Sequence, residues 1–257
     1  MKTFRHLFLA AGAALLLLLT GCARNLRTAT AADAGSIPLR EGAETGFSYD
    51  YSVEYIIGGV PAEVRDRIHA AIIRDLLYDD AREGMRVPEA CARWAESSQA
   101  DYLAEIEELA GGAEEEAAWM FNWSRSVSGA FTGADRRRGW QSYRSSSSEY
   151  SGGAHGMYGE TYHVFDMATG GIVREADFLD MECSGTLSDL LAGKILESLG
   201  QEGDAADALL GNPYPNGNFS VDGQGVTWHF NPYEIAPYAM GILEATLSWD
   251  ELEPFLK

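Results

Sequence analysis

The sequence predicts an α+β fold of mainly antiparallel sheets with inserted helices. Two observations carry that prediction. Segments with the two-residue alternation of strands are joined mostly by turns, as antiparallel neighbours are, and segments with helical spacing stand between groups of strands. A doubly wound parallel fold would instead alternate strand and helix one for one.

Taken in order, Phe47, Tyr49, Tyr51, Val53 and Tyr55 alternate with polar residues and predict a strand over 47–57, broken by Gly58-Gly59. Pro61 opens a helix, where its missing N–H costs nothing. Val64, Ile68, Ile72 and Leu76 recur every four residues on its apolar face, widened by Ile73 and Leu77. A second helix spans 88–109, with Cys91, Trp94, Tyr102, Ile106 and Leu109 inward and Glu96, Asp101, Glu105 and Glu108 outward as a solvated face. After Gly111-Gly112 the period returns to two. Trp119, Phe121, Trp123 and Val127 predict a half-buried strand, and a serine-rich strand follows over 140–149, with Arg136-Arg137-Arg138 in the turn between them. A hairpin is expected at 161–173 around Thr169-Gly170-Gly171. A helix starts at Ser184 with Leu187, Leu190, Leu191, Ile195 and Leu199 on one face, and Asp204 caps a short helix ending near Leu210. Phe219–Val221 and Val226–Phe230 flank Asp222-Gly223-Gln224-Gly225 as a further hairpin. A last strand covers 241–247, and Ser248-Trp249-Asp250-Glu251 is a capping box for a C-terminal helix.

The N-terminus has a different character. Lys2 and Arg5 precede an apolar run over 7–19, which is followed by Leu19-Thr20-Gly21-Cys22. This is the n-region, h-region and cleavage site of a signal peptide, and the run is too short for a spanning helix, which needs about 20 residues. Cysteine directly after the small residues makes a lipobox. The expectation is a signal peptide over 1–21, acylation of Cys22 and a flexible tether over 22–45. Ala23, where aspartate would retain the chain at the inner membrane, favours the outer membrane of the cell envelope.

Charge narrows the partners. The chain carries 19 basic and 39 acidic residues, a net −20. Loss of Lys2 and Arg5 with the signal peptide would leave 17 against 39, or −22. Such a surface repels phosphate backbones, which excludes nucleic acid, and attracts cationic partners. The cysteines other than Cys22 are Cys91 and Cys183. In an oxidising compartment they could pair, or stand as two buried thiols.

Two blocks are distinctive. Tyr150-Ser151-Gly152-Gly153-Ala154-His155-Gly156-Met157-Tyr158-Gly159 leads into Tyr162-His163-Val164-Phe165-Asp166, and about 80 residues on stands Asn231-Pro232-Tyr233-Glu234-Ile235-Ala236-Pro237-Tyr238-Ala239-Met240-Gly241. Together with the Asp166–Gly170 turn and Glu175–Leu179, they resemble the C-terminal extracytoplasmic domain of RsiV-like proteins, anti-sigma factors that sense lysozyme. Residues 46–150 look like the domain that precedes it there and in PdaC-type polysaccharide deacetylases. The resemblance implies an N-terminal α+β domain over 46–150, an RsiV-like domain over 151–257, and an extracytoplasmic binding module that engages a lysozyme-like cationic protein or a cell-wall glycan. Neither the sigma-binding segment nor a deacetylase domain is found, so neither activity carries over.

The same blocks supply the candidate ligand-binding residues His155, Tyr158, Tyr233 and Tyr238. His155 among its glycines admits two readings, an imidazole that holds a tight loop or a ligand-facing group and general base. Tyr233, Tyr238 and Trp228 could form an aromatic platform or pack a core. His155, His163 and His229 could meet at a metal with Asp166 or Glu234, but none of these pairs has helical ligand spacing. No G-x-S-x-G elbow and no G-x-x-x-x-G-K-[ST] loop is present, so no cofactor and no catalytic motif is expected. The alternative is an envelope hydrolase, active on peptidoglycan or polysaccharide, that uses His155 and nearby acids.

Overall fold

The computed structural model describes residues 26–40, 42–43, 45–77, 81–109, 120–200 and 209–257. The expected signal peptide, Cys22 and most of the helix expected after Asp204 lie outside them.

The fold is α+β, with mostly antiparallel strands in two sheets. The larger sheet has the order β1 (Arg27–Pro38), β2 (Gly46–Gly58), β3 (Trp123–Asp135), β4 (Trp140–Ser151), β5 (Met157–Asp166) and β6 (Ile172–Val173). Its neighbours pair antiparallel except β2 and β3, which run parallel. That exception follows from connectivity. The chain leaves β2 through α1 (Ala62–Leu77) and α2 (Val87–Leu109) before it returns as β3, and a parallel neighbour requires such a crossover. The smaller sheet is β7 (Phe219–Val221), β8 (Gly225–Phe230) and β9 (Leu243–Ser248). Before it come α3 (Glu175–Phe178) and α4 (Ser184–Ser198), and after it α5 (Trp249–Leu252). Ser248 Oγ accepts from Glu251 N at the start of α5, the anticipated capping box.

Two cores result. One packs α1 and α2 on the large sheet through Val53, Ile56, Ile68, Ile72, Cys91, Tyr143 and Phe165. The other gathers Leu187, Leu191, Ile195, Trp228, Phe230 and Leu247 between α4 and the small sheet. Adjacent residues of β5 face opposite cores, Val164 the second and Phe165 the first, as strand alternation dictates.

Three expectations are corrected. Residues 27–38, read as part of a flexible tether over 22–45, form β1, paired with β2 from Arg27 opposite Gly58 to Pro38 opposite Gly46. The edge of β2 needs a partner, and small residues such as Ala29, which is buried, supply the backbone for one. The boundary expected at residue 150 falls inside a hairpin. β4 and β5 stay in one sheet across it, and the two cores meet at β5 instead. Of the two readings left open for Cys91 and Cys183, the structure has free thiols, Cys91 sealed in the first core and Cys183 half-buried beside α4. β5 also begins at Met157, four residues before the expected start at Thr161.

Candidate ligand-binding site

The site is built where β4 turns into β5. Gly152 and Gly153 take φ values of 85° and 94°, a region open to glycine at little cost, and this bend starts the hairpin loop. His155 sits on the loop, exposed, with Nδ1 2.9 Å from Gly156 O. Beyond it Met157 and Tyr158 enter β5 with 49% and 37% of their surface exposed.

The facing wall is the segment after β8. Asn231 Oδ1 accepts from Glu160 N at 2.7 Å, while its Nδ2 donates to Glu160 O at 3.0 Å. Asn218 does much the same one step along, accepting from Tyr162 N at 2.7 Å and donating to Glu160 O at 3.0 Å. Two side-chain amides thus satisfy the edge of β5 beyond the residues paired with β6. They also fix the 231–241 loop against the hairpin. Tyr233 follows at φ 69°, the one non-glycine residue with positive φ among the described residues, and is 52% exposed. Positive φ in a bulky residue is strain that the surrounding turn must hold, here through Tyr233 N to Ala236 O and Glu234 N to Asn231 O, each at 3.0 Å.

Tyr238 joins the two walls. Its ring stacks on His155 with centroids 4.3 Å apart, meets Tyr158 edge-on at 5.5 Å and lies 5.7 Å from Tyr233. Its hydroxyl donates to Gly156 O at 2.7 Å. The four residues singled out from the sequence therefore meet in one surface patch. Trp228 does not join them. It is fully buried and donates from Nε1 to Glu175 Oε1 at 2.6 Å.

Beside the patch runs a groove of about 740 Å³, lined by Asp75, Trp94, Ser126, Ser147, Ser148, Met157, Tyr158 and Pro232. Arg125 crosses it, bound to Asp101 at 2.8 Å and Glu149 at 3.1 Å. A second cavity of about 310 Å³ shares Asp75, Ser147, Gly159 and Asn231 with it. The walls therefore offer hydroxyls, amides and carboxylates, with aromatic rings at the rim.

The histidines do not converge. His163 Nε2 lies 3.0 Å from Asp75 Oδ1, and Ser145 Oγ donates to the other oxygen of that carboxylate at 2.7 Å. His229 is buried under Tyr162, whose ring is parallel to it at 3.7 Å. Among the described residues no group of three or more His, Cys, Asp or Glu is placed to hold a metal ion. Asp166 accepts backbone N–H bonds in its own turn, and Glu234 accepts from Asn216 and Asn231.

The sequence reading missed one arrangement. His229 Nε2 lies 2.9 Å from Ser220 Oγ and Nδ1 3.0 Å from Glu244 Oε1. With the imidazole neutral, Nδ1–H donates to the carboxylate and Nε2 accepts from the serine, the relay order of a hydrolytic triad. Burial holds the His229 pKa below the ordinary imidazole value, against the pull of Glu244. The residue order offers no elbow motif, and the relay becomes visible only when β7, β8 and β9 are laid in register. However, the N–H of Val221, the donor next to Ser220, is already bonded to Ser142 Oγ at 2.8 Å. An oxyanion at Ser220 would find it occupied.

This architecture defines an α+β protein with a six-stranded sheet, a smaller C-terminal sheet and an aromatic patch between them. Residues 176–250 match the family described as "Protein of unknown function (DUF3298)". The match runs from within α3 to the start of α5 and includes Tyr233 and Tyr238, while His155 and Tyr158 precede it. A crystal structure of a DUF3298 family member from Bacteroides fragilis NCTC 9343 superposes with a TM-score of 0.80 at 20% identity, covering 90% of this chain and 94% of that one. A DUF3298 family protein from Pseudomonas aeruginosa PAO1 superposes with a TM-score of 0.63 at 19% identity, with the same coverage. No curated protein matches in sequence.

Proposed function

We propose that this chain is a lipid-anchored binding module of the cell envelope, held through acylated Cys22, and that the Tyr238-centred patch with its adjoining groove takes a cationic lysozyme-like protein or an envelope glycan. The observation that carries the reading is the convergence of His155, Tyr158, Tyr233 and Tyr238, four rings from two distant segments that stay on the surface. Exposed rings of this kind bind sugar faces and guanidinium groups alike. The groove's Asp75, Asp101 and Glu149 against one paired Arg125, in a chain of net −20, favour the cationic protein. Its serine lining suits a glycan.

The test is titration of the purified domain with lysozyme and with soluble peptidoglycan fragments, at low and moderate salt. Saturable binding of either one, weakened in Tyr233→Ala with the fold intact, supports the reading. Absence of binding to both sinks it. The rival hydrolase reading draws its support from the Ser220–His229–Glu244 relay, since among the described residues His155 has no carboxylate to orient it. Labelling of Ser220 by a fluorophosphonate probe, abolished in His229→Gln, would favour that rival.

A further inference from the structure

The two ends of the large sheet differ in chemistry. At one end stands the aromatic patch, where β5 begins and β4 ends. The other end carries a cluster of arginines on the side of α1. The pairing of β2 with β1 and β3 brings Arg27, at the start of β1, to the same end as Gly58 and the turn after Asp135, which holds Arg136 and Arg137. Beside them opens a cavity of about 1160 Å³, lined by Arg65, Arg67, Arg74, Arg82 and Arg86 against two acids, Asp66 and Glu83.

This excess of positive charge stands out in a chain of net −20. Arg65 is tied to Asp66 at 2.8 Å and Arg67 donates to Thr169 O at 3.0 Å. Arg74, Arg82 and Arg86 are exposed and make no ion pair among the described residues. Between the guanidiniums the lining is apolar, with Ile56, Ile73 and Met85, and Ile57 is 39% exposed. Apolar floor and cationic rim are what the interfacial zone of a bilayer accepts.

The placement of the chain's N-terminal side supplies the second argument. Thr28 lies opposite Ile56 and Ala29 opposite Tyr55, and both partners line the cavity. The chain enters the fold beside the arginines. Five peptide steps separate Cys22 from Arg27, a reach of at most about 17 Å. An acylated Cys22 would therefore hold the arginine-bearing end against the membrane and the acidic remainder outward. Because exposed charges are screened beyond about 8 Å, the nearby arginines outweigh the distant carboxylates.

We infer that this arginine-bearing end docks on the anionic phospholipid headgroups of the membrane that holds the chain, a second attachment that rests on the lipid-anchor reading. It sets the sheet upright. β4, twelve residues long, then carries the aromatic patch roughly 40 Å from the headgroups.

Residues 26–257 contain every described element and both cores, so they can be tested without acylation. Cosedimentation is measured with vesicles of phosphatidylcholine alone and of phosphatidylcholine mixed with phosphatidylglycerol. The expected result is binding to the mixed vesicles, with the association constant lowered at least about tenfold in Arg74→Gln/Arg82→Gln/Arg86→Gln, given roughly fivefold per guanidinium near an anionic surface. Arg40→Gln, just past the far end of β1, changes the net charge but leaves binding within about twofold. No binding to the mixed vesicles, equal binding to both kinds, or an unaffected triple variant overturns the inference. The anchor is judged separately by the mass of the Cys22 peptide from cell membranes. An unacylated Cys22 defeats the anchor alone, and an acylated one without vesicle binding defeats the docking alone.

Discussion

Tyr238 closes on His155 from across the hairpin, ring on ring at 4.3 Å and 23°, with its hydroxyl on the carbonyl of the next residue, Gly156. One side chain therefore fixes the loop that carries His155 and also presents a binding face. The two roles separate by substitution. Tyr238→Phe loses one hydrogen bond, about 1 kcal/mol of stability, and keeps the face. Tyr238→Ala loses both. Calorimetric titration with lysozyme or soluble peptidoglycan fragments, whichever binds the wild type, should show Phe within about threefold of wild type and Ala at least about tenfold weaker, as for an interface anchor. Equal losses in the two variants would mean that the hydroxyl, and not the ring, matters.

Glu175 is 8% exposed and accepts from Trp228 Nε1 at 2.6 Å and from Gly217 N at 3.1 Å. It is the polar pin of the second core. Glu175→Ala leaves two donors unpaired, one of them fully buried, and should cost about 2–4 kcal/mol. Glu175→Gln keeps an acceptor oxygen and should cost about 1 kcal/mol. Urea unfolding curves followed by Trp fluorescence measure both.

Stability should fall on the acid side through two histidines. Burial lowers the pKa of His69 and of His229, and His69 Nε2 is buried with no hydrogen-bond partner among the described residues. Around His229 stand Glu244 and Glu160, which pull its pKa back up, and Arg144, which lowers it further. A histidine whose folded pKa is depressed takes its proton first in the unfolded chain. Between the folded value and about 6.5 the unfolded state holds more protons, so stability rises with pH across that window and is lost as pH falls through it. Above the window the group contributes no slope. Urea midpoints should therefore drop between about pH 7 and pH 5, and less steeply in His229→Gln. An unchanged slope in that variant would remove His229 from the account.

The two free cysteines should behave differently. Burial pushes the Cys91 thiol up to about 12, so almost none of it is thiolate at neutral pH. Cys183 is half-buried at the start of α4. In residues 26–257, iodoacetamide should modify Cys183 in the native protein and Cys91 only after unfolding. Mass spectrometry of the digested chain reads this directly.

The elements that the sequence made legible are those whose burial leaves a period. Val64, Ile68 and Ile72 on α1, and the alternation of Phe219–Val221 with Val226–Phe230, repeat at helix and strand spacing because one face of each is in a core. The four rings of the candidate site were readable as members of two motifs. Their meeting was not, because it depends on Asn218 and Asn231 clamping β5, contacts across 56 and 71 residues. Ser220, His229 and Glu244 stayed hidden for a similar reason. Each looks like an outward position on its own strand, and the relay exists only in the register of three.

β1 was the element least visible, and it provides the sharpest test of the corrected fold. Its sequence, Arg27 to Pro38, contains mostly Ala, Thr, Gly and Ser, and Ile37 is its one large aliphatic residue. An edge strand of small residues leaves no strong alternation, so composition alone reads it as tether. Yet Ala29 is 4% exposed and sits opposite Tyr55. If residues 27–38 were tether, Ala29→Asp would be neutral. As part of β1 it forces a carboxylate into a buried position opposite Tyr55, and should cost about 3 kcal/mol or more. Thr30→Asp, on the neighbouring half-exposed position, should cost less than about 1 kcal/mol. Chemical denaturation of the two variants decides between strand and tether, and equal, negligible effects would return residues 27–38 to the tether.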